Sequence, residues 1–248
     1  MKPEVAIGED EELHELFDGR LRIIQKKEGY RFSLDAILLA HFTSQLSAKS
    51  IIDLGTGSGI IPLILARKMS ASSIVGVEVQ EDMADMAKRT MLLNGFDDRI
   101  SILHGDLRDV SDHFTPASFD LVVSNPPYYV VKDGRINPNQ QKAIARHEIM
   151  GALGDTIRIS DFLVKPSGLV VIIFPARRIV DLLSALRESG IEPKLLQTIY
   201  IHKQDEGKFV IVKGCKGGDP ELEIKEPFFV YDDGKNYSKE MQRIYDEI

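Results

Sequence analysis

A short apolar strand that breaks into a glycine loop and re-forms at once as a helix leaves few folds open to a chain. Ser50-Ile51-Ile52-Asp53-Leu54 reads as the strand, Gly55-Thr56-Gly57-Ser58-Gly59 as the loop, and Ile60 to Lys68 as the helix. Glycines in such a loop permit positive φ and close backbone approach, and the helix behind them presents unpaired N–H groups above the strand. The alternation continues, with strands expected at 50–53, 73–78, 100–104, 119–123 and 168–174 and helical stretches between them up to residue 190. Strands and helices in that order imply right-handed crossovers and a doubly wound parallel sheet, covered on both faces, with any ligand above the carboxyl ends of the strands. Lys194 to Ile201 and Phe209 to Lys213, separated by a short polar loop, are expected to pair antiparallel at the end of the fold.

Three acids stand at successive strand ends. Glu78 closes Ser73-Ile74-Val75-Gly76-Val77, where a carboxylate in a βαβ unit accepts from a ribose hydroxyl pair. Asp53 precedes the first glycine, where it would repel a pyrophosphate but suit a cationic ligand. Asp106 follows Ile100-Ser101-Ile102-Leu103-His104, placed to accept from an adenine amine while Leu107 covers the ring. One acid of this kind could be a helix cap; three together point to a ligand with ribose and positive charge, and S-adenosylmethionine has both.

The strand at 119–123 runs into Asn125-Pro126-Pro127-Tyr128. Asn125 offers a carbonyl acceptor, neither proline has an N–H, and two consecutive rings stiffen the turn without a sheet ladder. Tyr128 adds a flat face on which a heteroaromatic ring can lie. Such a corner holds a planar amine, whose two hydrogens would be accepted by the Asn125 side chain and the Pro126 carbonyl.

These motifs resemble the class I S-adenosylmethionine-dependent methyltransferases: Asp53 to Gly59 is similar to that superfamily's first motif, Glu78 to its second, Asp106 to its third, and Asn125 to Tyr128 to the catalytic tetrapeptide of its amino-methylating branch. Within the branch, Gly29 to Ala40 and Lys213-Gly214-Cys215-Lys216-Gly217-Gly218 resemble bacterial tRNA1(Val) (adenine-N6)-methyltransferases. The resemblance, over roughly residues 20–215, implies a Rossmann-like α/β fold, a sheet of seven strands that is mostly parallel with the last antiparallel, and helices on both faces. It implies Asn125, Pro126 and Tyr128 as catalytic residues. Asp53, Gly55, Gly57, Gly59, Glu78, Asp106, Leu107 and Asn125, with Phe32 and Ser33, would bind S-adenosylmethionine. Tyr128, Tyr129, Arg31, Lys132 and Arg146 would meet a tRNA whose adenine N6 is methylated beside the anticodon. The same tetrapeptide serves enzymes acting on other nucleobases or on a protein glutamine, and those substrates stand as alternatives.

A nicotinamide-dependent oxidoreductase would share Glu78 but calls for a G-x-G-x-x-G turn and gives no reason for Asn-Pro-Pro-Tyr; a non-catalytic RNA-binding protein has no use for that tetrapeptide either. With 248 residues and 43% hydrophobic content, one domain is expected over residues 1–248, with 1–45 as a lid or recognition segment. Residues 10–17 look helical, Leu21 to Gln25 and Tyr30 to Ser33 read as strands of a hairpin around Lys26-Lys27-Glu28-Gly29, and Leu34 to Phe42 is an apolar helix capped by Ser33 or Asp35. The polar stretch from Tyr129 to His147 reads as a substrate loop.

Six histidines without an i, i+4 pair and the single Cys215 predict no metal and no intramolecular disulfide. No secretory pattern at Met1-Lys2-Pro3-Glu4 and no apolar run of bilayer length predict a cytoplasmic protein without membrane contact, and nothing calls for an obligate protein partner. A net charge of −7 opposes RNA binding unless cations gather locally, as at Lys26, Lys27 and Arg31, at Lys132, Arg135, Lys142 and Arg146, at Arg177 and Arg178, and at Lys203, Lys208, Lys213 and Lys216.

Overall fold

A computed structural model describes residues 5–28, 31–69, 73–127, 138–232, 234 and 236–248, with the backbone alone for 138–150. Tyr128, Tyr129, Lys132 and Arg135, and the side chains of Lys142, Arg146 and His147, lie outside the described residues.

Every expected strand of the sheet forms. The principal strands are β3 (Ser50–Leu54), β4 (Ser73–Glu78), β5 (Ile100–His104), β6 (Phe119–Ser124), β7 (Val164–Pro175), β8 (Ile191–Tyr200) and β9 (Phe209–Lys216), numbered after an N-terminal pair, β1 (Glu11–Leu16) and β2 (Leu21–Lys26). Their order across the sheet is β8-β9-β7-β6-β3-β4-β5, with β9 antiparallel to both neighbours and the pairs from β7 to β5 parallel. Two short strands, β10 (Glu223–Ile224) and β11 (Phe228–Phe229), add to β8 and raise the seven expected strands to nine. Two-residue strands carry too little alternation to be seen in sequence.

The period-two pleat divides the core cleanly. Ile51, Leu121, Val123, Val171 and Ile173 face α1 (Leu34–Ser44), α2 (Ile60–Lys68) and α6 (Lys239–Glu247). Ile52, Val122, Val170, Ile172 and Phe174 face α4 (Pro138–Leu163) and α5 (Ile179–Glu188). Burial on both faces explains why these strands read as unbroken apolar runs.

The N-terminal region departs from expectation. Residues 11–16 are a strand, not a helix, and β2 pairs with β1; of the second strand expected at Tyr30 to Ser33, Tyr30 lies outside the described residues and residues 31–33 form no strand. Leucines at positions 13 and 16 carry a helix-like spacing, but Asp18-Gly19 supplies two consecutive positive φ angles, 56° and 78°, and closes the hairpin with Arg20 N–H donating to Phe17 O at 3.2 Å. The hairpin lies along α3 (Glu81–Asn94). Ile24 N–H donates to Thr90 Oγ1 at 3.1 Å, and Arg22 N–H donates to Asn94 Oδ1 at 3.0 Å. Arg89 grips Glu11 through two hydrogen bonds of 2.7 and 2.6 Å, and Lys26 reaches Asp82 at 3.2 Å. β2 therefore runs opposite to α3, and its end lies beside the start of α3.

α4 begins at Pro138, so the second half of the expected substrate loop is helix. Proline at the first helical position loses no hydrogen bond there, since that N–H would be unpaired in any case.

Candidate active site

Four loops at the carboxyl edge are tied to one another by backbone and buried side chains. Gly55 and Thr56 donate their N–H groups to Val77 O at 3.0 and 2.9 Å, and Gly105 N–H donates to Glu78 O at 2.9 Å, so the end of β4 holds the loops after β3 and β5. From the other side, the buried Ser124 hydroxyl donates to Leu54 O at 2.8 Å, fixing the end of β6 to the start of the glycine loop. Gly55, Gly57 and Gly59 all have positive φ, between 56° and 86°. A Cβ on Gly59 would lie 2.6 Å from Met91 Cε, and one on Gly76 would lie 2.9 Å from Thr56, which shows how closely the loop sits on its neighbours.

Asp53 lies beneath this loop rather than above it. It is fully buried, Oδ2 accepts from the Thr56 hydroxyl at 2.6 Å, and Oδ1 has no partner. Burial pushes its carboxyl up to about 7; the Thr56 hydrogen bond opposes the rise and the nearby Glu78 charge adds to it. Glu78, 5% exposed, accepts from Gly57 N–H at 2.9 Å with one oxygen and from Gln80 N–H at 2.9 Å with the other. An ionised carboxylate has about four acceptor sites, so Glu78 can shape the loop and still accept a hydroxyl. Asp106 caps the 3-10 turn that includes Leu107, accepting from Arg108 N–H at 2.8 Å, while the Arg108 guanidinium binds both its oxygens and holds its carboxyl down at about 2. Leu107 is half-buried against the α4 side of the core, and Phe32 packs on the opposite cluster.

Asn125 follows β6 at this edge with Oδ1 buried and without a partner among the described residues, beside a buried Pro126 and an exposed Pro127. An amide oxygen deprived of both water and a donor is costly. Five of the eight such buried atoms among the described residues belong to this edge: those of Asp35, Asp53, Ser58, Asn125 and Arg178. Four of these side chains supply acceptors or hydroxyls, as a donor-bearing ligand requires. In sequence Asp35 reads only as a candidate helix cap, within the Gly29 to Ala40 segment. Ser33 does occupy the N-cap position of α1, but its hydroxyl goes to the Asp35 carboxylate instead of to a helix N–H.

Four of the expected cations are paired with acids among the described residues. Arg31 pairs with Glu12, Lys26 with Asp10 and Asp82, Arg178 with Asp181, and Lys216 with Asp161. Away from the edge, a cavity of about 390 Å3 between α1, α6 and β8–β9 is lined by Leu38, Phe42, Ile199 and Ile244 and contains none of the motif residues. Among the described residues no cluster of His, Cys, Asp or Glu could hold a metal, and no helix is long and apolar enough to cross a membrane.

The model of the methyltransferase small domain matches residues 34–146, which contain the glycine loop, Glu78, Asp106 and Asn125 to Tyr128. A tRNA1(Val) (adenine(37)-N6)-methyltransferase of Porphyromonas gingivalis W83 is 34% identical over 158 residues, 61% of each chain. One of Phocaeicola vulgatus is 32% identical over 169 residues, 68% of each chain. The chain belongs to the tRNA1(Val) (adenine(37)-N6)-methyltransferase family. It spans 61% of the length of the Porphyromonas member and 68% of that of the Phocaeicola member. The fold is shared more widely: a predicted O-methyltransferase from Agrobacterium tumefaciens superposes with a TM-score of 0.71 at 20% identity, covering 86% of this chain and 96% of that one. Within the family's fold, the glycine loop, Glu78 and Asn125 of this chain fall on one sheet edge.

Proposed function

We propose that this protein transfers a methyl group from S-adenosylmethionine to the exocyclic N6 amine of an adenine in the anticodon loop of tRNA, in the cytoplasm. The observation that carries the reading is the buried, unpartnered Asn125 Oδ1 at the end of β6, fixed to the glycine loop through Ser124. The substrate is supported by the name the relatives bear, adenine 37 of tRNA1(Val).

The cofactor's fit rests on the same edge: a loop of three positive-φ glycines, a Glu78 carboxylate with accepting capacity to spare, and the unpartnered oxygens of Asp53 and Ser58. Glu78 would hold the ribose, Asp53 would add negative charge beneath the loop, and Leu107 would cover the adenine, whose amine Asp106 accepts once Arg108 yields. When bound, S-adenosylmethionine supplies an electrophilic methyl group.

The amine of adenine is a poor nucleophile because its lone pair is delocalised into the ring. Asn125 Oδ1 and the Pro126 carbonyl accept its two hydrogens and orient it, and two prolines keep that pair of acceptors from relaxing. Orientation of two bound reactants lowers a barrier by several kcal/mol, so no strong base is needed and the proton leaves afterwards. Tyr128 would stack on the base. A loop adenine reaches the pocket at lower unstacking cost than one in a helix.

The test measures methyl transfer to a tRNA transcript together with calorimetric binding of S-adenosylmethionine. Asn125→Ala is expected to lower turnover at least about a hundredfold while changing cofactor affinity less than about threefold. Unchanged turnover would remove Asn125 from the chemistry. Transfer to a protein glutamine but not to RNA would move the substrate to the alternative class.

A further inference from the structure

Arg178 supplies the one N–H donor among the five unpartnered buried atoms of the carboxyl edge. In sequence it forms a basic pair with Arg177, suited to a phosphate; in the structure its side chain is only 13% exposed. Nε donates to Asp181 at 2.9 Å, and the guanidinium carbon lies 5.7 Å from the centre of the fully buried Phe174 ring. The group is thus held by a carboxylate at its edge and by a ring at its face, yet Nη2 is buried with no partner among the described residues. A guanidinium cannot shed its proton to escape that cost. Because Asp181 already balances the charge, Nη2 lacks an acceptor and not an anion: a neutral oxygen or ring nitrogen completes it without leaving net charge in the site.

Strand register says what that acceptor belongs to. β6 and β7 pair in parallel with Ser124 beside Ile172, which puts Asn125 level with Ile173, and Phe174 one residue further along, on a strand about 4.8 Å away. The ends of these two neighbouring strands carry an orphan acceptor, Asn125 Oδ1, and an orphan donor, Arg178 Nη2. A backbone phosphate stays at the surface of a complex, whereas a base inserted by its edge reaches groups that water does not. Adenine has the matching edge: its N6 amine donates, and the ring nitrogens that flank it, N1 and N7, accept. We propose that Arg178 Nη2 donates to a ring nitrogen beside the amine of the target adenine, so that Asn125 and Arg178 together read the base; this rests on the function proposed above. A guanine would set its O6 against the Asn125 oxygen, two acceptors with no hydrogen between them.

Single-turnover methyl transfer by the full chain to tRNA transcripts carrying adenosine, 1-deazaadenosine or 7-deazaadenosine at the methylated position tests the assignment. The analogue that lacks the accepting nitrogen is expected to react about tenfold or more slowly than adenosine with the native protein, as loss of one hydrogen bond from a charged donor requires. Arg178→Met keeps an apolar stem on Phe174 and removes the donors. It should slow adenosine by about the same factor and shrink that analogue's deficit below about threefold, while calorimetric affinity for S-adenosylhomocysteine stays within about twofold. Arg178→Lys keeps the charge and a partner for Asp181 but lacks the fork, so the same collapse of discrimination is expected of it, and it serves if Arg178→Met does not fold. Equal rates of the native protein on all three RNAs, a deficit as large in a folded variant as in the native protein, or a cofactor affinity that falls as far as the rate would overturn the assignment. Absence of transfer to adenosine itself by the native protein would instead overturn the function on which it rests.

Discussion

Replacing Asp53 by Asn tests whether the acid under the glycine loop is held near neutrality. The carboxyl rises from 3.8 to about 7 in the folded protein, mainly through burial. Because the folded value lies above the unfolded one, the protonated form stabilises the fold at low pH, and that contribution is lost as pH rises through 7. Integrating proton uptake between pH 5 and pH 8 for those two values gives a loss of about 2–3 kcal/mol from this one group. Asparagine keeps the shape and still accepts from the Thr56 hydroxyl, but does not titrate. Urea unfolding of both proteins at pH 5 and pH 8 isolates the term, since every other ionisable group is common to the pair. The native protein should lose about 2–3 kcal/mol more than Asp53→Asn over that interval. Parallel profiles would mean that Asp53 is ionised throughout and that its burial has been offset in some other way.

The same group links pH to ligand binding: a cationic cofactor beside Asp53 should drive off its proton, so S-adenosylmethionine affinity is expected to rise between pH 6 and pH 8 in the native protein and to stay flat in Asp53→Asn. Titration calorimetry across that range would show it. Gly59→Ala forces a side chain into a backbone with φ of 86° and places a Cβ against the movable Met91 Cε; a cost of about 1–2 kcal/mol is expected in thermal unfolding, and an unchanged midpoint would contradict it. Arg89→Ala strips the buried Glu11 of its two-pronged partner. Hydrogen exchange should then accelerate in β1 and β2 by at least about tenfold while β3 and β6 are unaffected; equal acceleration throughout would mean that the hairpin is part of the global folding unit.

The sheet was legible because its strands are buried on both faces and its turns are glycine-rich, so Ile51-Ile52, Val122-Val123 and Val170-Val171 announce strands without alternation. The hairpin was not. Leu13 is largely exposed in β1, so the strand lacks an apolar stripe, and the deciding signal is Asp18-Gly19, two residues that fix a turn by their tolerance of positive φ. Sequence also placed Asp53, Glu78 and Asn125 at one edge, but not their directions. Asp53 turns under the loop, Glu78 divides its oxygens between two backbone N–H groups, and Arg31 spends its charge on Glu12, because hydrogen bonding inside the edge competes with presentation to a ligand. Asp35 read only as a candidate cap, because an acid in a first helical turn is common, and only its burial and unpartnered oxygen set it apart.

The central claim is that the Asn125 corner methylates N6 of a tRNA adenine. Purified protein, a radiolabelled methyl donor and tRNA from cells lacking the gene, followed by digestion and nucleoside separation, test it most directly. The label is expected in N6-methyladenosine from an anticodon loop and to disappear with Asn125→Ala. Label in any other nucleoside, or none in tRNA from a protein that binds the cofactor, would contradict the account.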